Sequence, residues 1–369
     1  MSAQTPALEV ARGEPHRRGT VIGVSALSLV ILLIGWLESA TPGGVAIATL
    51  TGGVVTFETV VRIGIFTTVV VGLNLLMGYA GQVSLGQAAF FGLGAYFSAM
   101  FTTRADLFGI GAGISGQWWW PWLLIIGGMA FTGGLAYVVG RPILRLRGHY
   151  LAMATLGLGI MVSIAFRENL GFTLGDRDLT GGFDGIFGIP RLRIGSFDLW
   201  PITRYYYLVW LVAIAGILVG LNVVRSRSGR ALRALHSNEL AAETLGVDTA
   251  RFKVRALVIS AMYASLAGSL FAHFRVAVSP APFGFTASLE LVVMAAVGGL
   301  ASVWGAPFGV AAVLVVRELL RTRLDVFVGG AGGQQEAVAF GILLVLIMMF
   351  MPDGVVARLR QVTRRWRRA

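Results

Sequence analysis

The sequence predicts an all-α polytopic integral membrane protein with about 8–10 transmembrane helices, some of them broken or re-entrant. Of its 369 residues, 56% are hydrophobic and only 13% are charged, and the mean hydropathy is +0.77. A soluble globular protein carries about 25% charged residues. Apolar stretches of the length that a bilayer requires recur along the chain, and glycines interrupt several of them.

Each candidate span is an apolar stretch of roughly 17–25 residues or slightly fewer. The clear candidates are Val21 to Leu37, Val60 to Gly78, Val83 to Phe101, Trp122 to Gly140, Tyr150 to Phe166, Tyr206 to Val224, Ala256 to Phe274 and Ala337 to Met351. The segment from Val45 to Val55 is apolar but short, and the count of crossings favours a segment that does not cross. The segment from Leu289 to Val316 is too long for one helix and contains glycines and a proline. We therefore predict that it forms two short helices joined by a turn.

The placement of charge predicts the topology. Basic residues are in excess in 1–20, 225–255 and 352–369, whereas 167–204 carries five arginines and five acidic residues. Cytoplasmic loops hold the excess of Lys and Arg. We therefore predict a transmembrane domain over 21–351, cytoplasmic tails at both ends, a cytoplasmic loop over 225–255 and an external loop over 167–204.

Several chemistries lack the residues that they need. The chain has no cysteine, and its one lysine, Lys253, follows Phe252 rather than the glycine of a P-loop. The four histidines are scattered without metal-ligand spacing. We expect no metal, no cofactor and no enzymatic activity. The formal net charge of +12 is explained by topology rather than by nucleic-acid binding.

The stretch 78–96 is dense in glycine and lies between apolar segments. Glycine allows a helix to break and allows backbones to approach closely, and transporters use such breaks to build a path through the membrane. The predicted helix-break glycines, here and in the second interrupted segment, are Gly78, Gly81, Gly86, Gly298, Gly299 and Gly305. For any single glycine, close helix packing is the alternative.

Polar residues in or near the breaks are candidates for lining the path, because polar groups at membrane depth are costly and are retained for function. These candidates are Asn74, Gln82, Ser84, Gln87 and Glu290. Two alternatives remain open. Glu290 can instead cap a helix N-terminus, where the helix dipole favours a carboxylate, and Asn74 can hydrogen-bond a neighbouring helix.

The basic loop contains the pattern of a short helix. Asn238 can cap its start, Glu239 lies in its first turn and Gly246 can end it. We expect the small residues Ala241 and Ala242 on its surface, where they would allow close docking into a groove on a partner. An ordinary surface helix is the alternative.

The order Glu-x-Ala-Ala-x-x-x-Gly, carried by Glu239, Ala241, Ala242 and Gly246, is similar to the loop by which permease subunits of bacterial ABC importers contact their ATPase. Four further segments, in the expected order, are 78–96, 179–186, 288–305 and 350–354. As a set they resemble the LivM-type family of branched-chain amino-acid ABC permeases, and the resemblance covers most of the chain.

The resemblance implies a permease subunit of a binding-protein-dependent importer in the bacterial plasma (inner) membrane. It implies a homologous second permease, two ATP-binding subunits and an extracytoplasmic substrate-binding protein as partners, besides membrane lipid, and no nucleic acid. Leucine, isoleucine and valine are the implied substrates, and urea or short amides are the alternative.

Two other classes of protein compete with this reading. Broken helices also fit a self-sufficient secondary transporter, but such a protein has no need of a docking helix. A membrane-embedded enzyme is disfavoured because no nucleophile–base pair or cluster of His, Asp and Glu occurs in the sequence.

Overall fold

The computed structural model describes residues 17–40, 46–146, 148–169, 173–174, 177–328 and 341. The helices are α1 (Arg17–Ala40), α2 (Ala46–Leu50), α3 (Phe57–Asn74), α4 (Gln87–Thr103), α5 (Ala112–Ser115), α6 (Trp120–Ile143), α7 (His149–Arg167), α8 (Ile202–Arg225), α9 (Arg227–Ser237), α10 (Glu239–Thr244), α11 (Thr249–Arg275), α12 (Phe285–Gly298) and α13 (Gly305–Val328). A π-helical turn, Leu75–Tyr79, extends α3, and 3-10 turns lie at Ala105–Phe108 and Ala281–Phe283.

In the described part of the chain, strands are short and confined to connections between helices. Three antiparallel pairs form among these residues: β1 (Thr173–Leu174) with β2 (Arg177–Asp178), β3 (Ile186–Phe187) with β6 (Ala277–Val278), and β4 (Arg193–Ile194) with β5 (Phe197–Asp198). The pairing of β3 with β6 ties the connection before α8 to the end of α11. The predicted fold class, an all-α polytopic membrane protein, is confirmed.

Six helices in the described part of the chain are long and apolar enough to cross a membrane. The spans that contain α3 and α11 are 83% and 67% buried inside the protein, whereas those of α1 and α7 are 17% and 22% buried. Helices α3 and α11 therefore form the centre, and α1 and α7 lie at the periphery with apolar surfaces suited to lipid.

Three predicted spans need correction or fall outside the description. The helix predicted from Val83 begins only at Gln87, because the preceding residues form the break described below. The turn predicted inside Leu289 to Val316 is present, but its second helix, α13, has 24 residues and is not short. Arginine, glutamate and leucine after Val316 favour helix, although they end the apolar run. The predicted span Ala337 to Met351 and both terminal tails lie outside the described residues, except for 17–20 and Gly341.

The central contact joins α4 to α11 through small residues. A Cβ atom on Gly94 would lie 2.1 Å from the carbonyl oxygen of Ser265, and one on Gly268 would lie 1.9 Å from that of Phe91. The hydroxyl of Ser269 donates to the carbonyl of Gly94 at 3.0 Å. The two backbones therefore touch, as small residues allow in membrane helices.

Helix α11 carries a buried histidine near its end. His273 Nδ1 lies 2.7 Å from the carbonyl oxygen of Pro190, and its Nε2 lies 2.9 Å from the hydroxyl of Ser98. A carbonyl only accepts, so Nδ1 donates to Pro190 and Nε2 accepts from Ser98. Helix α11 is thereby fixed to α4 and to the 167–204 connection at this end.

Candidate functional site

The chain between α3 and α4 forms a break in which residues 80–86 are outside regular helix. Gly81 has φ of +68°, a left-handed conformation that favours glycine. A Cβ atom on Gly78 would lie 1.5 Å from the carbonyl oxygen of Leu300, so only glycine fits there. A Cβ atom on Gly86 would likewise lie 2.5 Å from the carbonyl oxygen of Thr155.

Hydroxyl groups from other helices satisfy backbone groups that the break leaves free. The backbone N–H of Leu85 donates to the Thr155 hydroxyl on α7, and that of Ala88 donates to the Ser288 hydroxyl on α12, each at 3.1 Å. Thr155 and Ser288 were not identified from the sequence. Their signal was a hydroxyl group within an otherwise apolar helix.

The second interrupted segment is a helical hairpin, and it packs against the first break. Gly298 and Gly305 face each other so closely that a Cβ atom on either would come within 2.3 Å of the other's carbonyl oxygen. Gly299 has φ of +97°. The Asn74 amide Nδ2 donates to the carbonyl of Ser302 in the hairpin turn at 3.0 Å. The two breaks that the sequence indicated therefore meet in space.

Three of the five path candidates make contacts between elements. Asn74 hydrogen-bonds the hairpin turn, whereas the predicted alternative was a bond to a neighbouring helix. Gln87 is fully buried and its amide Nε2 donates to the carbonyl of Ser260 at 3.1 Å. Glu290 accepts from Arg317 at 2.9 and 3.0 Å across the hairpin. The N-cap of α12 is Gly284, so the alternative that Glu290 caps this helix is wrong.

Gln82 and Ser84 differ from Asn74, of which only Oδ1 is unpaired, because none of their buried side-chain polar atoms has a partner among the described residues. Gln82 is 4% exposed and Ser84 2%, yet the Gln82 amide and the Ser84 hydroxyl have no hydrogen-bond partner among the described residues. Each unpaired buried group costs about 1–3 kcal/mol. Such groups in a folded protein call for an explanation beyond stability. The explanation that the sequence predicted is that these groups line a path for a polar solute, and it remains a prediction.

The predicted short helix in the basic loop is α10, and its ends are formed as expected. Asn238 Oδ1 accepts from the backbone N–H of Ala241 at 3.1 Å, which caps the N-terminus. At the C-terminus Gly246 has φ of +81°. Its backbone N–H donates to the backbone carbonyl of Glu243 at 2.9 Å, and the backbone N–H of Val247 donates to the backbone carbonyl of Ala242 at 3.0 Å. This bonding is a Schellman motif.

One face of α10 is held against α11. Glu239 Oε1 accepts from Lys253 Nζ at 2.5 Å, and Glu243 Oε1 accepts from the Thr249 hydroxyl at 2.7 Å. Ala242 lies on the same face and is only 2% exposed. The expectation that Ala242 lies on the surface is therefore wrong, because the two glutamates turn this face towards α11. Ala241 is exposed, as expected.

The opposite face of α10 presents leucines to the outside. Leu240 is 63% exposed and Leu245, just after the helix, is 82% exposed. Large apolar groups exposed on a helix in a polar loop are typical of a protein–protein contact. The sequence carries a signal for this face, since Leu240 follows Glu239 and Leu245 precedes Gly246 within a polar loop.

Helix α9 packs directly on the break. A Cβ atom on Gly81 would lie 2.9 Å from His236 Nδ1 and 3.5 Å from the His236 Cα atom. The loop that contains α9 and α10 is thus in contact with the non-helical segment that carries Gln82. Among the described residues no group of three or more His, Cys, Asp and Glu could hold a metal ion.

Comparison with known families now identifies the chain. The model of the family described as "Branched-chain amino acid transport system / permease component" matches residues 55–352. The chain belongs to this family. The permease is 31% identical over 358 residues to the "High-affinity branched-chain amino acid transport system permease protein LivM" of Escherichia coli (strain K12). The aligned region covers 90% of the permease and 75% of that relative.

Relatives of a second kind also match the permease. It is 25% identical to the corresponding protein LivH of the same strain, covering 79% of the permease and 91% of the relative. It is 24% identical to the permease protein BraD of Pseudomonas aeruginosa, covering 79% and 92%. No solved structure matches the chain significantly. The chain is therefore a multi-pass membrane permease subunit, and its relatives include two kinds of permease component.

Proposed function

We propose that this permease forms the translocation path of an ABC importer together with a homologous second permease, driven by two ATP-binding subunits and supplied by an extracytoplasmic binding protein. The match to both LivM and LivH relatives supports the pairing of two permeases. Branched-chain amino acids are the proposed substrates, because the family description and these relatives carry that name.

The proposed location of the permease is the bacterial plasma (inner) membrane, with both termini and residues 225–255 in the cytoplasm. The side chain of Arg225, at the end of α8, donates to the hydroxyl of Thr20 near the start of α1. This contact supports placing the start of α1 and the basic loop on one face. The excess of basic residues in both segments supports the cytoplasmic assignment of that face.

The contact between α9 and the break is the observation that carries the proposal. Helix α10 is fixed to α11 through Glu239 and Lys253, and α9 lies against Gly81. A displacement imposed on this loop by an ATPase is therefore delivered to the segment with the unpaired groups of Gln82 and Ser84. A secondary transporter has no equivalent need for such a loop.

We assign roles to the loop residues accordingly. Glu239, Ala242 and Gly246 build and anchor α10 within the permease, and the ATPase meets the opposite face. That face consists of Leu240, Ala241 and Leu245. The path is lined by Gln82 and Ser84, whereas Asn74, Gln87 and Glu290 hold the elements around it.

The test is reconstitution of the permease with the second permease, the two ATP-binding subunits and the binding protein that the proposal requires. We expect ATP-dependent uptake of labelled leucine, isoleucine and valine into proteoliposomes, and none when the binding protein is omitted. Uptake of urea or acetamide in preference to leucine would show that the substrates are urea or short amides rather than branched-chain amino acids. Uptake by the permease alone, driven by an ion gradient without ATP, would overturn the proposal in favour of a secondary transporter.

A further inference from the structure

A strongly basic cleft of about 830 Å³ opens between the end of α6, helix α10 and the start of α11. The cationic side chains that line it are Arg141, Arg145, Arg251, Lys253 and Arg255. The acidic residues that line it are the two glutamates of α10.

The acidic groups of the cleft are already engaged. Glu239 is paired with Lys253 and Glu243 accepts from Thr249. The neutral hydroxyl of Thr249 does not cancel the charge of Glu243, but the five cationic side chains outnumber the two carboxylates, and the arginines leave the cleft with a net positive charge. Arg251 pairs with Asp248 at 2.8 Å, but both side chains are exposed, so this pair contributes little.

Two arginines of the cleft lie over aromatic rings. Arg141 is 4.2 Å from the centre of the Tyr137 ring, and Arg255 is 5.5 Å from that of Phe252. Ring contacts orient a guanidinium but leave its positive charge uncompensated. Planar guanidinium groups bind phosphate through two parallel hydrogen bonds, which makes such a cleft suited to a phosphate group.

An apolar slot of about 220 Å³ adjoins the basic cleft, since both are lined by Tyr137 and Arg255. Its other walls are mostly apolar and come from α8, α9 and α11, including Val223, Leu232 and Ile259. A ligand that fills both spaces has an anionic end and an apolar end. A free inorganic phosphate offers no group for the slot.

The depth of the two spaces fits a lipid. The span of α6 ends at Ile143 and that of α11 begins at Thr249, so the cleft lies where these helices leave the membrane. Basic pockets at this level between transmembrane helices are suited to anionic lipid headgroups. We propose that the cleft and slot bind one anionic phospholipid, with its phosphate among the arginines and part of an acyl chain in the slot.

The test uses the full-length chain in nanodiscs, with Ser228→Cys as a fluorophore site, because Ser228 lines the slot and the chain has no cysteine. Phosphatidylglycerol with brominated acyl chains should quench the fluorophore at a lower mole fraction than brominated phosphatidylcholine. Each arginine near an anionic headgroup contributes roughly a fivefold preference. Arg145→Gln with Arg255→Gln should therefore weaken the preference by about 25-fold.

Arg230→Gln is the matched control, since Arg230 is an exposed arginine of α9 and lines neither space. It should keep the preference, and monodisperse elution confirms that every variant is folded. Equal quenching by the two lipids would overturn the proposal. Equal loss in the control variant would overturn it as well. Displacement of the lipid by inorganic phosphate or glycerol phosphate at matched concentration would identify a soluble-anion site instead.

Discussion

Replacing Leu240 and Leu245 with glutamate should detach the ATPase from the permease without unfolding it. Both side chains are largely exposed, at 63% and 82%, so their replacement removes little internal packing. The anchoring contacts of α10, through Glu239 to Lys253, lie on the opposite face. The substitutions therefore act on the docking face alone.

The size of the effect follows from the exposed area. Burying a leucine completely is worth about 1.5–3 kcal/mol. The two exposed fractions together correspond to roughly one and a half leucines, so the contact is worth about 2–4 kcal/mol. That is roughly a 30- to 900-fold rise in Kd for the ATPase, before any cost of burying the new carboxylates.

The assay is titration of tagged ATPase onto the assembled permease pair in nanodiscs, with uptake measured on the same preparation. Leu240→Met with Leu245→Met is the control, because it keeps the apolar area and should change Kd by no more than about threefold. If the glutamate variant binds the ATPase as well as this control, α10 is an ordinary surface helix and the docking assignment is wrong.

Three further predictions concern residues inside the protein. Gln82→Met should abolish most uptake while the melting temperature stays level or rises, because it removes unpaired buried groups that cost about 1–3 kcal/mol each; full uptake would remove Gln82 from the path. Lys253→Met and Glu239→Gln should show a coupling of roughly 0.5–3 kcal/mol in a double-mutant cycle on thermal stability, and strictly additive effects would contradict a working pair. Gly78→Ala should lower the stability of the protein by about 1–3 kcal/mol or more in thermal unfolding, because its Cβ atom would lie 1.5 Å from a backbone oxygen. Gly134→Ala is the control and should be neutral, because the space around Gly134 is open.

The sequence predicted the features that depend on composition and local pattern. Low charge and recurring apolar stretches predicted the fold class, and glycine density located both interrupted segments. The caps of α10 followed from Asn238 and Gly246, because capping is a local interaction between a side chain or a left-handed residue and its own helix.

What the sequence did not predict depends on contacts between distant residues. The buried position of Ala242 follows from Glu239 meeting Lys253, fourteen positions along the chain. The pairing of Glu290 with Arg317 spans 27 positions. In both cases the helical pattern allows a polar residue to face either way, and only the position of its partner decides which face turns inward.

Helix α11 is one unbroken element of 27 residues without proline, about 40 Å long. Near one end Lys253 binds Glu239 of α10, and near the other His273 binds the carbonyl of Pro190 in the connection between α7 and α8. A continuous helix of this length moves as a rigid body. A tilt applied near Lys253 therefore displaces the end near His273 as well, without any rearrangement of the residues between them. In the importer that we propose, opening at one mouth and closing at the other would then be a single motion, timed by the geometry of α11 rather than by a relay of side chains.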